Sequence, residues 1–425
     1  MTHRAPHHIA LCLAAVVGVA GVRVARALSD ETPPLTLNDC YDLALKRSEV
    51  IAIHQEQINE TQGRLLQALS TVLPHVSFDL SEKRQDGSGG SAFTLREVPE
   101  RKFTFSQPLF SGFKEFAALA GSRAERGQRV AEKRRAEQLL LIDVTDAFYL
   151  LLEQQEDLQA LDASQQALQE RARELEERKR LGRSRASEVV SAEAQLRRLE
   201  AELERVRSVR TTARQLLAFL TGLEQIDALA DPLSTLPDLA DEAHYVATAG
   251  GRADVRAAAE AWRVAKRATL VTASQFLPTV NLDGNYYTKR AGAAKDVDWD
   301  VTLSVDVPIF QGGQALGATQ ESAGRAREAR LQFQRLRRAA ELDIRETYAK
   351  LQSGMAQTAA LDKARAAAEE SYRLQADDYR LNLVNNLEVL QALQALQDAR
   401  RDFIHAQHET KRLYWQLQVA TGQTL

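Results

Sequence analysis

Cysteine and methionine are almost missing from this 425-residue chain, which has two of each. Cys12 and Cys40 cannot build a disulfide framework or a thiolate zinc site, and a methionine-lined copper path would have only Met1 and Met355. Redox and thiolate-metal chemistry drop out. Basic excess is lacking as well: the net charge is −3, and it deepens to −6 once the first 27 residues, with three arginines and no acid, are set aside. That disfavours nucleic acid as a partner, since such binding rests on neutralising phosphates. No phosphate-cradling glycine loop, nucleophile elbow or HExxH pattern is present. His405 and His408 are spaced i, i+3 on a helical pattern, which on a polar face is ordinarily incidental. The expectation is a non-enzyme with no cofactor and no metal. Aromatics are 6% and charged residues 27% of the chain, a balance that favours long helices over a compact enzyme.

Residues 1–27 read as an export signal. Arg4 precedes an apolar run from Ile9 to Val22, and Ala25-Arg26-Ala27 forms an A-x-A cleavage pattern. The run is shorter than the roughly 20 residues that a spanning helix needs. The mature chain is expected to start near Leu28, outside the cytoplasm. No later stretch is apolar enough to span a bilayer as helix.

The remainder repeats once. An offset of 200 aligns Pro108 with Pro308, Phe110 with Phe310, Gly112 with Gly312, Glu188 with Glu388 and Gly222 with Gly422. The pattern predicts a first repeat over 28–222, with a helix, a β-hairpin at about 75–108, a long helix over 113–181 and a return helix over 186–221. A linker over 223–243, bearing Pro232 and Pro237, is expected to belt the rod's middle. The second repeat, 244–425, follows with a helix, a hairpin at about 279–308, a long helix over 313–381 and a return helix over 385–421. Val144, Ala147, Leu151, Leu158, Leu161, Leu168, Ala172 and Leu175 mark a coiled-coil seam. The return helix is too short to match the long one. The helix near His244–Phe276 is therefore expected to cover the rest of the first long helix, and that near Thr36–Val72 the rest of the second.

The hairpins have a different period. From Asp298 to Val307 every odd position is apolar and every even one polar. Val76, Phe78 and Leu80, then Phe103 and Phe105, alternate in the same way. Such strands meet two solvents, and their length suits a tilted membrane strand. Lipid offers no partner to an open strand edge, so a membrane sheet must close, and the smallest barrels have about eight strands. Four strands per chain force oligomerisation, as eight from a dimer or twelve from a trimer.

The segment order, the LPHV and LPTV strand starts at 73–76 and 277–280, and the junctions QPLFSG at 107–112 and VPIFQGG at 307–313 resemble the TolC-like outer-membrane efflux family. ALKRSEV at 44–50 and AGGRADV at 249–255 look like its paired helix motif, with Ser48 and Ala253 where proline is usual. LEVLQALQAL from Leu387 looks like its second-coil motif. The resemblance implies a mainly α protein whose homotrimer forms one twelve-stranded β-barrel in outer-membrane lipid, continued by an α-helical coiled-coil barrel into the periplasm. It implies a passive exit channel of a tripartite efflux or type I secretion system, working with a periplasmic adaptor and an inner-membrane transporter. It further implies that Gly182 and Asn382 lie at the adaptor-docking tips, that Glu388 and Gln391 line the pore constriction, and that Glu188 and Tyr379 belong to a tip latch. The basic residues of the first tip, Arg178, Lys179, Arg180, Arg183 and Arg185, read equally as solubility of an exposed helix end or as a docking surface complementary in charge to an adaptor's hairpin. The family's second constriction acid is Gln391 here, and an expected latch arginine is Val384. A periplasmic adaptor or a structural coiled-coil protein of the envelope is the alternative. An adaptor would carry one helical hairpin between β domains, and a structural coil would need no alternating strands.

Overall fold

The computed structural model describes residues 34–226, 228–231, 233 and 235–425. The signal segment, the start near Leu28 and Pro232 lie outside the described residues.

The chain opens with α1 (Leu37–Arg47) and α2 (Glu49–Ser70). Hydrophobic pattern alone suggests one helix here, but Ser48 breaks it: its backbone is extended and its hydroxyl accepts from the Ile51 amide at 3.4 Å, capping α2. Thr36 caps α1 reciprocally with Asp39. The hairpin β1 (His75–Arg84) and β2 (Glu97–Ser111) leads into α3 (Lys114–Arg180), whose 67 residues at about 1.5 Å each extend roughly 100 Å. Return helix α4 (Ala186–Thr221) follows, then the linker, a short α5 (Glu242–Val246), one 3-10 turn at Ala249–Gly251, and α6 (Ala253–Ala273). The second hairpin, β3 (Thr279–Arg290) and β4 (Trp299–Asp306), feeds α7 (Gln314–Arg380) and α8 (Asn386–Ala420). No helix among the described residues is long and apolar enough to cross a membrane.

The four strands form one antiparallel sheet in the order β1-β2-β3-β4. Pro108 sits beside a bulge in the β2–β3 pairing, where the missing amide donor is tolerated. The turn from β2 into α3 is tight. Gly112 has φ 66°, and a Cβ there would lie 2.8 Å from the Ser274 carbonyl oxygen. Phe113 is also left-handed, at φ 63°, where the second repeat places Gly313. The Phe113 ring stands edge-on to Phe110 at 5.0 Å.

The end-to-end stacking of short helices runs opposite to the expectation. The end of α4 at Gly222 abuts Arg47, and the end of α8 at Gly422 abuts Arg252. Hence α4 is continued by α2 along α3, and α8 by α6 along α7. Lys133 of α3 bonds Gln55 of α2 at 3.0 Å, while Trp262 of α6 stacks on Phe333 of α7 at 6.0 Å. A return helix ends at the level where its own repeat began, so its nearest continuation is the first helix of that same repeat. The expected cover of the first long helix by α6 does hold: α6 packs along α3, with Glu260 on Gly127, more extensively than along α7, whereas α2 packs on α3 instead of α7.

Three apolar cores result. Two lie at mid-rod, around Phe148, Tyr149 and Leu217 in one and Ile344, Leu351 and Leu417 in the other. The third lies toward the far ends of the long helices, around Leu168, Leu175, Leu199 and Leu390. The linker is pinned to mid-rod by a parallel bridge between Leu35 and Leu229. Asp231 fastens it further, receiving the Tyr149 hydroxyl at 3.1 Å and Lys411 Nζ at 2.5 Å.

Candidate functional site

The sheet has two chemically opposite faces because side chains alternate along every strand. Pairing puts Val76, Phe105, Gly284 and Val301 in one row, and Phe78, Phe103, Tyr286 and Trp299 in the next. This face is bare: Val76 is 69%, Trp299 66% and Leu303 61% exposed. Just past β4, Ile309 and Phe310 are 95% and 88% exposed, so aromatic side chains mark both ends of the apolar band. On the other face Ser77, Thr104, Asn285 and Asp300 form one row. Thr104 donates to Asp79 at 2.6 Å, Ser106 to Asp283 at 2.6 Å, and Asn285 and Tyr287 to Asp300 at 2.8 Å each. The polar face is thus tied across strands by hydrogen bonds, while the apolar face, where Phe78 meets Phe103 at 4.9 Å, is left largely exposed. Among the described residues, β1 and β4 have no strand on their outer sides. Open edges beside an exposed apolar face mark a surface that interacts with another chain or with lipid.

At the other end of the rod are two helical turns. Gly182 and Asn382 both take left-handed conformations, with φ 70° and 56°. Each closes its helix by the same pair of bonds: Arg183 N to the Arg178 carbonyl at 2.8 Å and Gly182 N to Lys179 at 2.9 Å, then Leu383 N to Asp378 at 2.9 Å and Asn382 N to Tyr379 at 3.0 Å. Asparagine serves in the second turn because it tolerates this backbone better than most residues. The first turn is basic, with Arg178, Lys179, Arg180, Arg183 and Arg185, whereas Asp377 and Asp378 precede the second.

The two acids at equivalent positions both serve helix starts. Glu188 accepts from Ser184 Oγ at 2.5 Å and from the Arg185 amide at 3.3 Å. Glu388 accepts from Asn385 Nδ2 at 2.7 Å, and Asn385 Oδ1 in turn takes the Glu388 amide at 3.2 Å. Gln391 follows one turn later, exposed, on the same side of α8. Tyr379, by contrast, is buried and is not brought to Glu188. The guanidinium groups of Arg171 and Arg178 lie over its ring, at 3.6 and 4.4 Å from the centroid. Arg171 Nε also donates to Asn386 Oδ1 at 2.8 Å, and Asn386 is buried. Sequence pattern did not single out Arg171 or Asn386, and marked Arg178 only as one of the basic residues of the first turn.

Between tip and mid-rod, α8 meets α3 and α4 through charge. Arg401 bonds Asp157 at 2.8 Å and Glu202 at 2.7 Å, and Arg412 and His405 meet Glu153 at 3.1 and 3.0 Å. His408 is fully buried with Nε2 3.1 Å from Glu156. Contact with His408 holds the Glu156 carboxyl below its usual range. The two histidines thus face different carboxylates, and among the described residues no cluster could hold a metal ion. Burial pushes the Cys40 thiol up to about 12, so it is an inert core residue.

Comparison with known proteins gives one family and one fold. The family described as outer membrane efflux protein matches residues 40–223 and 245–423. Among solved structures, the outer membrane protein VceC of Vibrio cholerae is 22% identical, with a TM-score of 0.80 over 91% of this chain and 96% of its own. The open state of the MtrE outer membrane channel of Neisseria gonorrhoeae is 20% identical, with 0.77 over 91% and 89%. The CmeC outer membrane channel of Campylobacter jejuni is 16% identical, with 0.75 over 91% and 85%. No curated protein sequence matches.

Proposed function

The chain belongs to the outer membrane efflux protein family, and from that premise we propose how it makes a channel. Three copies join β1 of one to β4 of the next, closing twelve strands into a barrel in the outer membrane. The bare apolar rows face lipid, and the Ser, Thr, Asn and Asp rows face water inside. The six long helices and their partners continue the wall into the periplasm and end at the turns holding Gly182 and Asn382. Those turns, with Arg183 and Arg185, dock the helical hairpin of a periplasmic adaptor, and an inner-membrane transporter supplies the energy. Glu388 and Gln391, repeated three times, line the entrance. One carboxylate per subunit rather than two gives a ring that favours cations weakly. Glu188 and Tyr379 contribute to keeping the tip shut. The chain itself acts as a passive conduit.

The observation that carries this reading is the ribbon: four strands with two open edges, one apolar face and one polar face. A closed barrel is the sheet geometry that satisfies such edges in lipid. The test is extraction followed by reconstitution. The protein is expected to stay in the membrane pellet at alkaline pH, dissolve only in detergent, and form ion-conducting pores in a planar bilayer. Release by salt or alkali, or absence of pores from well-folded detergent-purified protein, would overturn it.

A further inference from the structure

The second turn is held to the first coil at two points by one helix. Arg171 and Arg178 are spaced i, i+7 along α3, and both guanidinium groups lie over the Tyr379 ring, at 3.6 and 4.4 Å from its centroid. Glu174 lies between them and binds both, at 2.9 and 3.0 Å, which fixes the two flat cations in place. Tyr379 is the next-to-last residue of α7 and Asn386 the first of α8, so Arg171 grips the chain on both sides of the turn. Tyr379 and Asn386 are 6% and 1% exposed, which keeps water from competing for these contacts.

The Tyr379 hydroxyl makes no hydrogen bond among the described residues, and Glu188 is engaged at the start of its own helix. The grip is therefore on the ring itself. It is also one-sided. At the repeat-equivalent positions, Arg171, Glu174 and Arg178 become Ser371, Leu374 and Asp378, while Tyr379 becomes Lys179. The second long helix therefore carries no matching clamp for the first turn.

We infer that Arg171 and Arg178 hold the periplasmic entrance narrow by clamping the ring of Tyr379, independently of its hydroxyl. This rests on the channel reading and names the contact that regulates it. Arg171 and Arg178 are positioning residues: they set where α7 and α8 stand, and α8 carries Glu388 and Gln391.

The test is single-channel conductance of the detergent-purified full-length protein, with folding checked by β signal and oligomer size for every variant. R171A/R178A is expected to shift the ratio of open to closed dwell times about tenfold toward open, each ring contact being worth up to about that factor. Y379L keeps both charges and should open the pore to a similar extent, and combining all three changes should add little, since they remove one contact. Y379F keeps the ring and should match the unmodified protein. R171K/R178K keeps the charge but loses the flat stacking group and should fall between. Gating unchanged in R171A/R178A and Y379L would overturn the inference. Opening by Y379F as large as that by Y379L would overturn it too, by assigning the hold to the hydroxyl. A folded parent protein that makes no pore at all would overturn the channel reading beneath it.

Discussion

The two ends of this molecule are finished to different degrees. At the tip, one chain satisfies itself: both turns close their own carbonyls, Glu188 and Glu388 cap their own helices, and Tyr379 and Asn386 are buried against α3. At the sheet, one chain satisfies almost nothing, with apolar rows bare and two strand edges open. The difference locates what requires partners. In the proposed channel, assembly would draw on the ribbon, whose edges and apolar surface are unsatisfied in one chain, whereas the entrance would be biased by contacts that one chain already holds.

The largest effect expected from breaking this contrast is on the ribbon. Changing Val301 and Leu303 to Asp puts two charges on the edge-strand face proposed to meet lipid, at about 2–4 kcal/mol each for a charge at mid-bilayer, or less for an acid. Extraction and oligomer sizing should show loss of membrane insertion while the helical signal in circular dichroism persists. The same double change at exposed Val190 and Leu216 of α4 should leave insertion intact. Within the tip, Leu390→Ala removes a fully buried side chain from the core shared by both coils and should cost about 2–5 kcal/mol. Limited proteolysis should then cut near the turns without releasing the barrel.

Smaller effects sharpen the junction and the turn. Gly112→Ala combines a left-handed backbone with a Cβ 2.8 Å from a carbonyl oxygen, and denaturant titration should show a loss of roughly 1–3 kcal/mol. Asn382→Gly should instead stabilise the second turn by about 0.5–1 kcal/mol, because glycine adopts φ 56° without strain. The least effect is that of acid. Glu156 and Glu202 are held below the usual 4.5, Glu156 mainly by His408 and Glu202 mainly by Arg205. A depressed carboxylate pKa contributes stability above its unfolded value and loses it as pH falls through the folded value. Melting temperature should therefore hold above about pH 5 and drop below about pH 4.5, with the seam between α3, α4 and α8 loosening before the apolar tip core.

Much of the fold follows from period and punctuation. The alternation from Asp298 to Val307 matches β4 and its two-faced exposure, and the glycine at 182 and the asparagine at 382 sit where left-handed turns are needed. What pattern did not show depends on neighbours distant in sequence. Ser48 offers no break in the hydrophobic pattern, only its place where the resembled family has proline, yet it caps a new helix. The stacking of α2 on α4 rather than on α8 is set by where each return helix ends, which helix lengths alone leave open. Arg171 and Arg178 look like solvated partners of Glu174 on an exposed helix. Their place three residues after Leu168 and Leu175, beside the seam, was the one signal available. Only the turn brought in from more than 200 residues away shows what they hold.

Disulfide scanning between ribbon edges tests the central claim most directly. Single cysteines introduced in β1 and β4 of the same chain, followed by oxidation in intact membranes, should give a ladder of linked copies that ends at three. A ladder ending at two would mean an eight-stranded assembly, and monomer alone at every β1–β4 pairing would mean that the edges never meet and that the ribbon does not close.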